Sequence, residues 1–326
     1  MTGEGLLQLS WRPYCFALPR ALITSRGAVL HRRGWLLRLQ APDGRCGWGE
    51  APEPLFAAAA SGLAAAIRQL PEAVNRTVLE PQLPQLPAAL ACALGLALAE
   101  LDGLGSAAAG GWRPAPLSAQ LLPAGAAALA VLEGHLAGAM TEPFTLKWKV
   151  AAADDALERR VLEQLLQRLP ATARLRLDAN GGWDRRVAAG WADRLAGEPR
   201  LEWLEQPLPP QDLAGLEALA QRIPVALDES LPHLSTEQQA AWSGWIVRRP
   251  AQEADPRPLL DQLRRGLPRQ MLSTAFETGI ARRLLEHLAA LQAAGPTPTA
   301  PGLAPGWRPQ GGLFASEPEQ VWEAAA

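Results

Sequence analysis

Apolar and polar positions alternate in two different rhythms along the chain. Residues 6 to 50 carry short apolar runs between turns: Leu6 to Phe16, Gly34 to Leu39 and Cys46 to Glu50. Pro42-Asp43-Gly44 separates the last two, and such a turn signal between two runs predicts an antiparallel meander. The polar, glycine-containing stretch from Arg20 to His31 reads as a loop and a candidate flap. From Leu55 to about Gly105, including the Ala-rich Phe56 to Ala66, leucines recur at helical spacing, broken at Pro71, Pro81, Pro84 and Pro87. These features predict an α+β unit over residues 1–108, ending at a Gly-, Ala- and Pro-rich junction, Ala107 to Pro116.

Beyond the junction, short apolar runs are followed by longer helical stretches. The runs are Pro116 to Leu122, Phe144 to Val150, Arg174 to Asp178, Leu201 to Glu205, Val225 to Asp228, Gly244 to Arg249, Gln270 to Thr274 and a weak Thr297 to Leu303. Helical patterns lie between them at Ala156 to Leu169, Arg185 to Leu195, Asp212 to Gln221 and Thr278 to Ala294. Repeated strand and helix signals of this kind predict a parallel sheet, and eight such runs over residues 109–309 fit a compact (β/α) barrel.

The second run, Thr145-Leu146-Lys147-Trp148-Lys149-Val150, makes an unusual demand. Side chains alternate along a strand, so Lys147 and Lys149 share one face while Leu146, Trp148 and Val150 occupy the other. Alone, the hexapeptide reads as a solvated edge strand. On a buried face, two ammonium groups require acids beside them. Three later runs end in an acid, Asp178, Glu205 and Asp228, spaced 27 and 23 residues apart, about one βα unit each. The acids therefore come from successive strands at their C-terminal ends, where barrel active sites lie. Three converging carboxylates need a cation among them, and an all-oxygen set favours Mg²⁺ over Zn²⁺. Lysines on the preceding strand would sit beside that ion, as abstraction of a proton α to a carboxylate requires. Asn180 and Glu229 either support the metal ligands or cap the helices that follow.

Composition narrows the field further. The chain has 326 residues, 48% of them hydrophobic, enough for a sizeable core. Basic and acidic residues number 31 and 33, without basic runs interleaved with aromatics, which argues against nucleic acid and for a small-molecule partner. Cys15, Cys46 and Cys92 are far apart and suit neither a disulfide framework nor a zinc cluster, as expected of a cytoplasmic protein. The longest apolar run, Ala88 to Ala99, is too short to span a bilayer, and the N-terminus lacks signal-peptide character, so no membrane association is expected.

In order and at barrel spacing, the motifs resemble the enolase superfamily and, within it, the o-succinylbenzoate synthases of menaquinone and phylloquinone biosynthesis. Gly47-Trp48-Gly49-Glu50 resembles the family's capping-domain motif and Lys147-x-Lys149 its lysine strand. Asp178-Ala179-Asn180, Glu205-Gln206-Pro207 and Asp228-Glu229-Ser230 resemble its metal-ligand motifs. Arg176, the segment Ser273 to Thr278 and Gly302-Leu303 are similar to the subgroup's own. The resemblance implies a (β/α)7β barrel with an α+β capping domain, onto which the tail, about 310–326, packs back. It implies one divalent ion, Mg²⁺ or a substituting Mn²⁺, on Asp178, Glu205 and Asp228. It also implies syn dehydration of a cyclohexadiene carboxylate through an enediolate, with Lys149 as base and then acid and Lys147 keeping the site electropositive. Arg176, Ser273, Gly302 and Arg26 would bind or enclose the carboxylate substrate.

One position departs from the family. Where a second lysine precedes a proline on the sixth strand, this chain has Arg249-Pro250. A guanidinium stays protonated, so Arg249 serves as a cation facing the developing ring and not as a second base. That weighs against the nearest rivals, an N-acylamino acid racemase or dipeptide epimerase, which need acid-base groups on both faces. Ion pairing of Arg249 with a metal-ligand carboxylate, and a non-catalytic carboxylate-binding homologue, are the other readings.

Overall fold

The computed structural model describes residues 5–55, 62–137 and 143–325; part of the predicted Ala-rich helix from Phe56 lies outside them. The N-terminal part is a four-stranded antiparallel sheet of β1 (Leu7–Thr24), β2 (Gly27–Gln40), β3 (Cys46–Pro52) and β4 (Ala73–Val74), in the order β3-β2-β1-β4. The expected meander is present, but Arg20 to His31 is not a loop. Strands β1 and β2 pair out to Thr24–Gly27, and only Ser25 and Arg26 form the turn. The register shifts between Ala17 and Leu22, beside Pro19, and this irregularity breaks the alternation that would have revealed the longer strand.

Both faces of this sheet are covered. Leu7, Leu9, Leu37 and Leu39 meet the helix Ala88–Leu101, while Tyr14, Phe16, Leu36 and Trp48 meet Phe276, Ile280, Trp307 and the C-terminal helix Pro318–Ala324 through Trp322. Helix Ala88–Leu101 is apolar on all sides because its far side packs, through Leu96, on Leu259, Leu260 and Leu284. Gly47 and Gly49 permit this close approach: a Cβ at either would fall about 2 Å from the carbonyl oxygen of Ala97 or Ala93.

The second sheet has seven parallel strands: β5 (Gln120–Leu122), β6 (Thr145–Lys149), β7 (Arg174–Asp178), β8 (Leu201–Glu205), β9 (Val225–Leu227), β10 (Trp245–Arg248) and β11 (Gln270–Leu272), paired in sequence order. The expected eighth strand, Thr297 to Leu303, is reduced to a parallel bridge between Ser273 and Gly302. Ala119 donates to the Pro301 carbonyl at 2.9 Å and Gly302 to that of Leu272 at 2.8 Å, so residues 301–302 close the ring between β11 and the start of β5. Helices Asp155–Arg168, Arg185–Leu195, Leu213–Ala220, Arg257–Arg264 and Gly279–Ala293 are among those interleaved with the strands. The fold is an enolase-type barrel with an α+β cap.

Among the links between cap and barrel is a fully buried carboxylate. Glu50 on β3 accepts from the Thr278 amide and hydroxyl and from the Ala281 amide, at the N-terminus of helix Gly279–Ala293, and from the Tyr14 hydroxyl at 2.8 Å. Burial pushes its carboxyl upward, against the donors that favour its charged form. Replacing Glu50 by alanine strips several buried donors of their acceptor and should lower stability by about 3 kcal/mol in urea unfolding. Glu50→Gln, which fills the same space and keeps one acceptor oxygen, should lose less; equal losses would show that neither filled space nor a single acceptor suffices and that the whole carboxylate is required.

Candidate active site

Strand alternation decides which side chains enter the barrel. On β6, Leu146, Trp148 and Val150 face outward into a core with Val161, Leu162, Leu165 and Trp191, which leaves Lys147 and Lys149 pointing inward. Each lysine is only 6% exposed, so the strand is no solvated edge. Register pairs Lys149 with Asp178 on β7 and Asp178 with Glu205 on β8, placing lysine and acids side by side.

The three acids converge. Each of Asp178, Glu205 and Asp228 offers one carboxylate oxygen, and these atoms lie within 4.8 Å of one another. Fixed cations surround them. Lys147 Nζ lies 2.7 Å from Asp178 and donates to Glu205 at 2.5 Å, and Lys149 Nζ contacts Asp178 at 2.6 Å. Arg249, just past β10, donates from Nε to Asp228 Oδ1 at 2.9 Å and from Nη2 to Oδ2. Burial favours the neutral carboxyl of Asp178, but Lys147 and Lys149 outweigh it and hold the group far below the usual carboxylate range. Asp228 is lowered in the same way, burial being overcome by Arg249. Burial and the Asp178 charge push Glu205 up to about 8. Burial also disfavours the Lys147 ammonium, yet Asp178 and Glu205 hold it above its ordinary value.

Neighbouring residues orient this cluster. Asn180 accepts from Lys149 at 2.9 Å and donates to Glu229 Oε1 at 2.9 Å, while Asp184 caps the following helix. Of the two roles open to Asn180, it therefore takes the one in the site. Gln206, which residue patterns did not single out beyond its motif, is fully buried and accepts from the Asp228 and Ser230 amides at 3.0 and 3.1 Å. Its backbone and that of Asn180 have φ of 38° and 46°, turning the chain sharply after each strand.

Above the cluster lies a cavity of about 570 Å³. Lys147, Lys149, Asp228, Arg249, Ser273 and Gly302 line its polar end. Leu22, Leu55, Leu121, Val247, Phe276 and Ala304 make an apolar wall that residue chemistry alone did not reveal. Leu22, Thr24, Arg26 and Leu55 come from the cap, and the Ser25 hydroxyl donates to the Asn180 carbonyl at 3.2 Å, so the hairpin tip already closes over the site.

Two of the expected site residues have partners of their own. Arg176 does not line the cavity: it is fully buried, stacks on Trp203 at 4.1 Å, and donates to Glu202 and Thr299 at 2.7 Å each. It shares the inward face of Asp178 but lies two residues, about 6.6 Å, down the strand. Arg249 lines the cavity but is bonded to Asp228, as in the ion-pair alternative, and does not stand free to face a ring.

The residues fit a divalent ion: an all-oxygen set, buried, with one carboxylate raised by burial and by its like-charged neighbour. A positive ion among them would remove that repulsion.

A family model described as "Enolase C-terminal domain-like" matches residues 136–245. The o-succinylbenzoate synthase of Thermosynechococcus vestitus is 37% identical over 296 residues, 86% of this chain and 88% of that protein. That of Yersinia enterocolitica is 31% identical over 232 residues, 70% and 68% of the two chains. A crystal structure of o-succinylbenzoate synthase from Thermosynechococcus elongatus, solved with Mg in its active site, superposes with a TM-score of 0.79 at 32% identity, covering 98% of this chain and 100% of that one. The L-Ala-D/L-Glu epimerase of Bacillus subtilis, with a TM-score of 0.75 at 20% identity over 94% of this chain and 91% of its own, shares the fold.

Calorimetric titration should detect Mg²⁺ binding to the wild type, with a rise in melting temperature. Asp178→Ala should abolish both effects while retaining the far-ultraviolet circular dichroism of the fold. A wild type showing neither heat nor thermal shift would remove the triad as a metal site.

Proposed function

This chain belongs to the o-succinylbenzoate synthase family of the enolase superfamily, and on that premise we propose that it dehydrates 2-succinyl-6-hydroxy-2,4-cyclohexadiene-1-carboxylate to 2-succinylbenzoate, a step of menaquinone or phylloquinone biosynthesis. The observation that carries the reading is the pairing of one lysine strand with a buried carboxylate triad beneath an apolar-walled cavity. The charges of Asp178, Glu205 and Asp228 are matched by Lys147, Lys149 and Arg249. A divalent ion would then leave the site positive and suited to a dianion such as this dicarboxylate.

Mg²⁺ held by Asp178, Glu205 and Asp228 supplies, when bound, positive charge for the substrate carboxylate and for the negative charge that develops beside it. Lys149, kept in place by Asp178 and Asn180, takes the proton α to the ring carboxylate. The same ammonium then returns that proton to the departing hydroxyl. One C–H and one C–O bond break on the same face, a ring double bond forms, water leaves, and the ring becomes aromatic. Lys147, tied to two acids and held above its ordinary value, remains a fixed charge. Leu22, Leu55 and Phe276 would exclude water from the ring. Ser273 lines the same cavity and offers its hydroxyl to the succinyl carboxylate, beside Gly302, whose amide is bonded to the Leu272 carbonyl. Arg26, at the hairpin tip, covers the opening.

Arg249 separates this reading from the racemase and epimerase alternatives. Asp228 holds its guanidinium above even its ordinary value against burial, so it does not exchange protons. A two-base racemisation lacks a partner at that position.

The metal-loaded enzyme should convert the cyclohexadiene substrate to the aromatic product, followed by ultraviolet absorbance. Lys149→Ala should lose about a thousandfold or more in kcat. N-acylamino acids should not interconvert between enantiomers. Folded, metal-loaded wild type without turnover would sink the reading, and undiminished turnover by Lys149→Ala would sink the role of that lysine.

A further inference from the structure

Asp228 differs from its two partners in how it is held. Asp178 and Glu205 meet lysine ammonium groups, compact charges on flexible stems. Asp228 instead meets a planar fork that contacts both of its oxygens, Nε on Oδ1 at 2.9 Å and Nη2 on Oδ2. The third arm of the guanidinium, Nη1, is anchored on the Thr274 carbonyl at 2.5 Å, and the Arg249 amide donates to Glu253 Oε1 at 2.6 Å. Main chain and side chain thus hold the fork at one angle. A guanidinium stays charged at any relevant pH, so this contact can be relieved only by movement or by a better partner. The fork uses a lone pair on each oxygen and draws negative charge from both, which makes Asp228 a poorer ligand while the contact lasts.

We propose that Arg249 is a positioning residue that competes with the divalent ion for Asp228 and thereby couples ion binding to anion binding. The inference rests on the metal reading above. A substrate carboxylate entering the cavity offers the guanidinium another planar acceptor. Asp228 is then released to the ion, and the ion in turn makes the cavity more attractive to the anion. Each ligand strengthens the other by the same factor. A lysine at this position, as in the family pattern, would offer one point charge in place of a fork and leave an Asp228 oxygen open.

Electron paramagnetic resonance titration of Mn²⁺ into wild type, Arg249→Lys and Arg249→Met tests this without recourse to activity. Both variants should bind Mn²⁺ about tenfold more tightly than wild type when no anion is present, as expected for loss of a bidentate charged contact. Tightening in Arg249→Met alone would mean that net charge and not the fork sets the affinity, and would overturn the proposal. Unchanged or weaker binding in both would overturn it as well. Added 2-succinylbenzoate should tighten Mn²⁺ binding in wild type more than in Arg249→Met; equal tightening would refute the coupling. Failure of all three folded proteins to bind Mn²⁺ would instead remove the metal reading itself, a result distinct from each of the others.

Discussion

The barrel mouth depends on charge compensation among five buried side chains and the partly buried Arg249. Asp178 and Glu205 end strands β7 and β8, Asp228 follows β9, and Lys147, Lys149 and Arg249 belong to β6 and the segment just past β10, so five consecutive staves of the barrel contribute. Each charge taken alone would lose several kcal/mol of hydration on burial. Together they supply one another with partners, and removal of any one leaves its neighbour buried and uncompensated. Parallel register makes this possible, since it sets Lys149, Asp178 and Glu205 in a row across adjacent strands. The geometry of the sheet and the chemistry of the site are therefore one constraint: a slip of one residue on β6 would send both lysines into the apolar layer around Trp191.

The cap completes what the barrel cannot. Leu121, Val247, Phe276 and Ala304 give the barrel's part of the apolar wall, and the cap adds the rest. Leu22 on β1 and Leu55 just past β3 supply it, held in place by Glu50 on the start of helix Gly279–Ala293 and by the hairpin tip on Asn180. Gly47 and Gly49 serve the same end indirectly. By letting helix Ala88–Leu101 lie against β3, they allow the sheet to be packed on one face while Trp48 and Glu50 on the other reach the barrel side.

What was legible in the sequence follows from what is periodic. Helices Arg185–Leu195 and Gly279–Ala293 and strands β7 and β8 agree with their apolar spacing, and the three acids were readable because each closes a strand one βα unit after the last. Features set by long-range contacts were not readable. The length of β1 is hidden by a bulge, and the eighth stave survives as a single bridge because its backbone partners, Ala119 and Leu272, lie far away in the chain. Depth along the barrel axis was hidden as well. Arg176 shares a face with Asp178, but pattern alone does not say that Glu202, Thr299 and Trp203 enclose it below the cavity.

Depth also explains why two lysines on one face take different parts. Lys147 lies one layer below Lys149, and its side chain reaches up to bridge Asp178 and Glu205. An ammonium bound to two carboxylates gains more from staying charged than burial takes away, which is the direction found for Lys147. Lys149 shares Asp178 but finds its other partner in Asn180, a neutral amide that orients the ammonium without adding charge. Because Asn180 also donates to Glu229, its oxygen is committed to face the lysine and its nitrogen to face the acid. Both lysines line the cavity, and the upper one is the one with a single anionic partner. On the proposed mechanism, a repeated residue type on alternate positions of one strand becomes a fixed charge below and a proton-transfer group above.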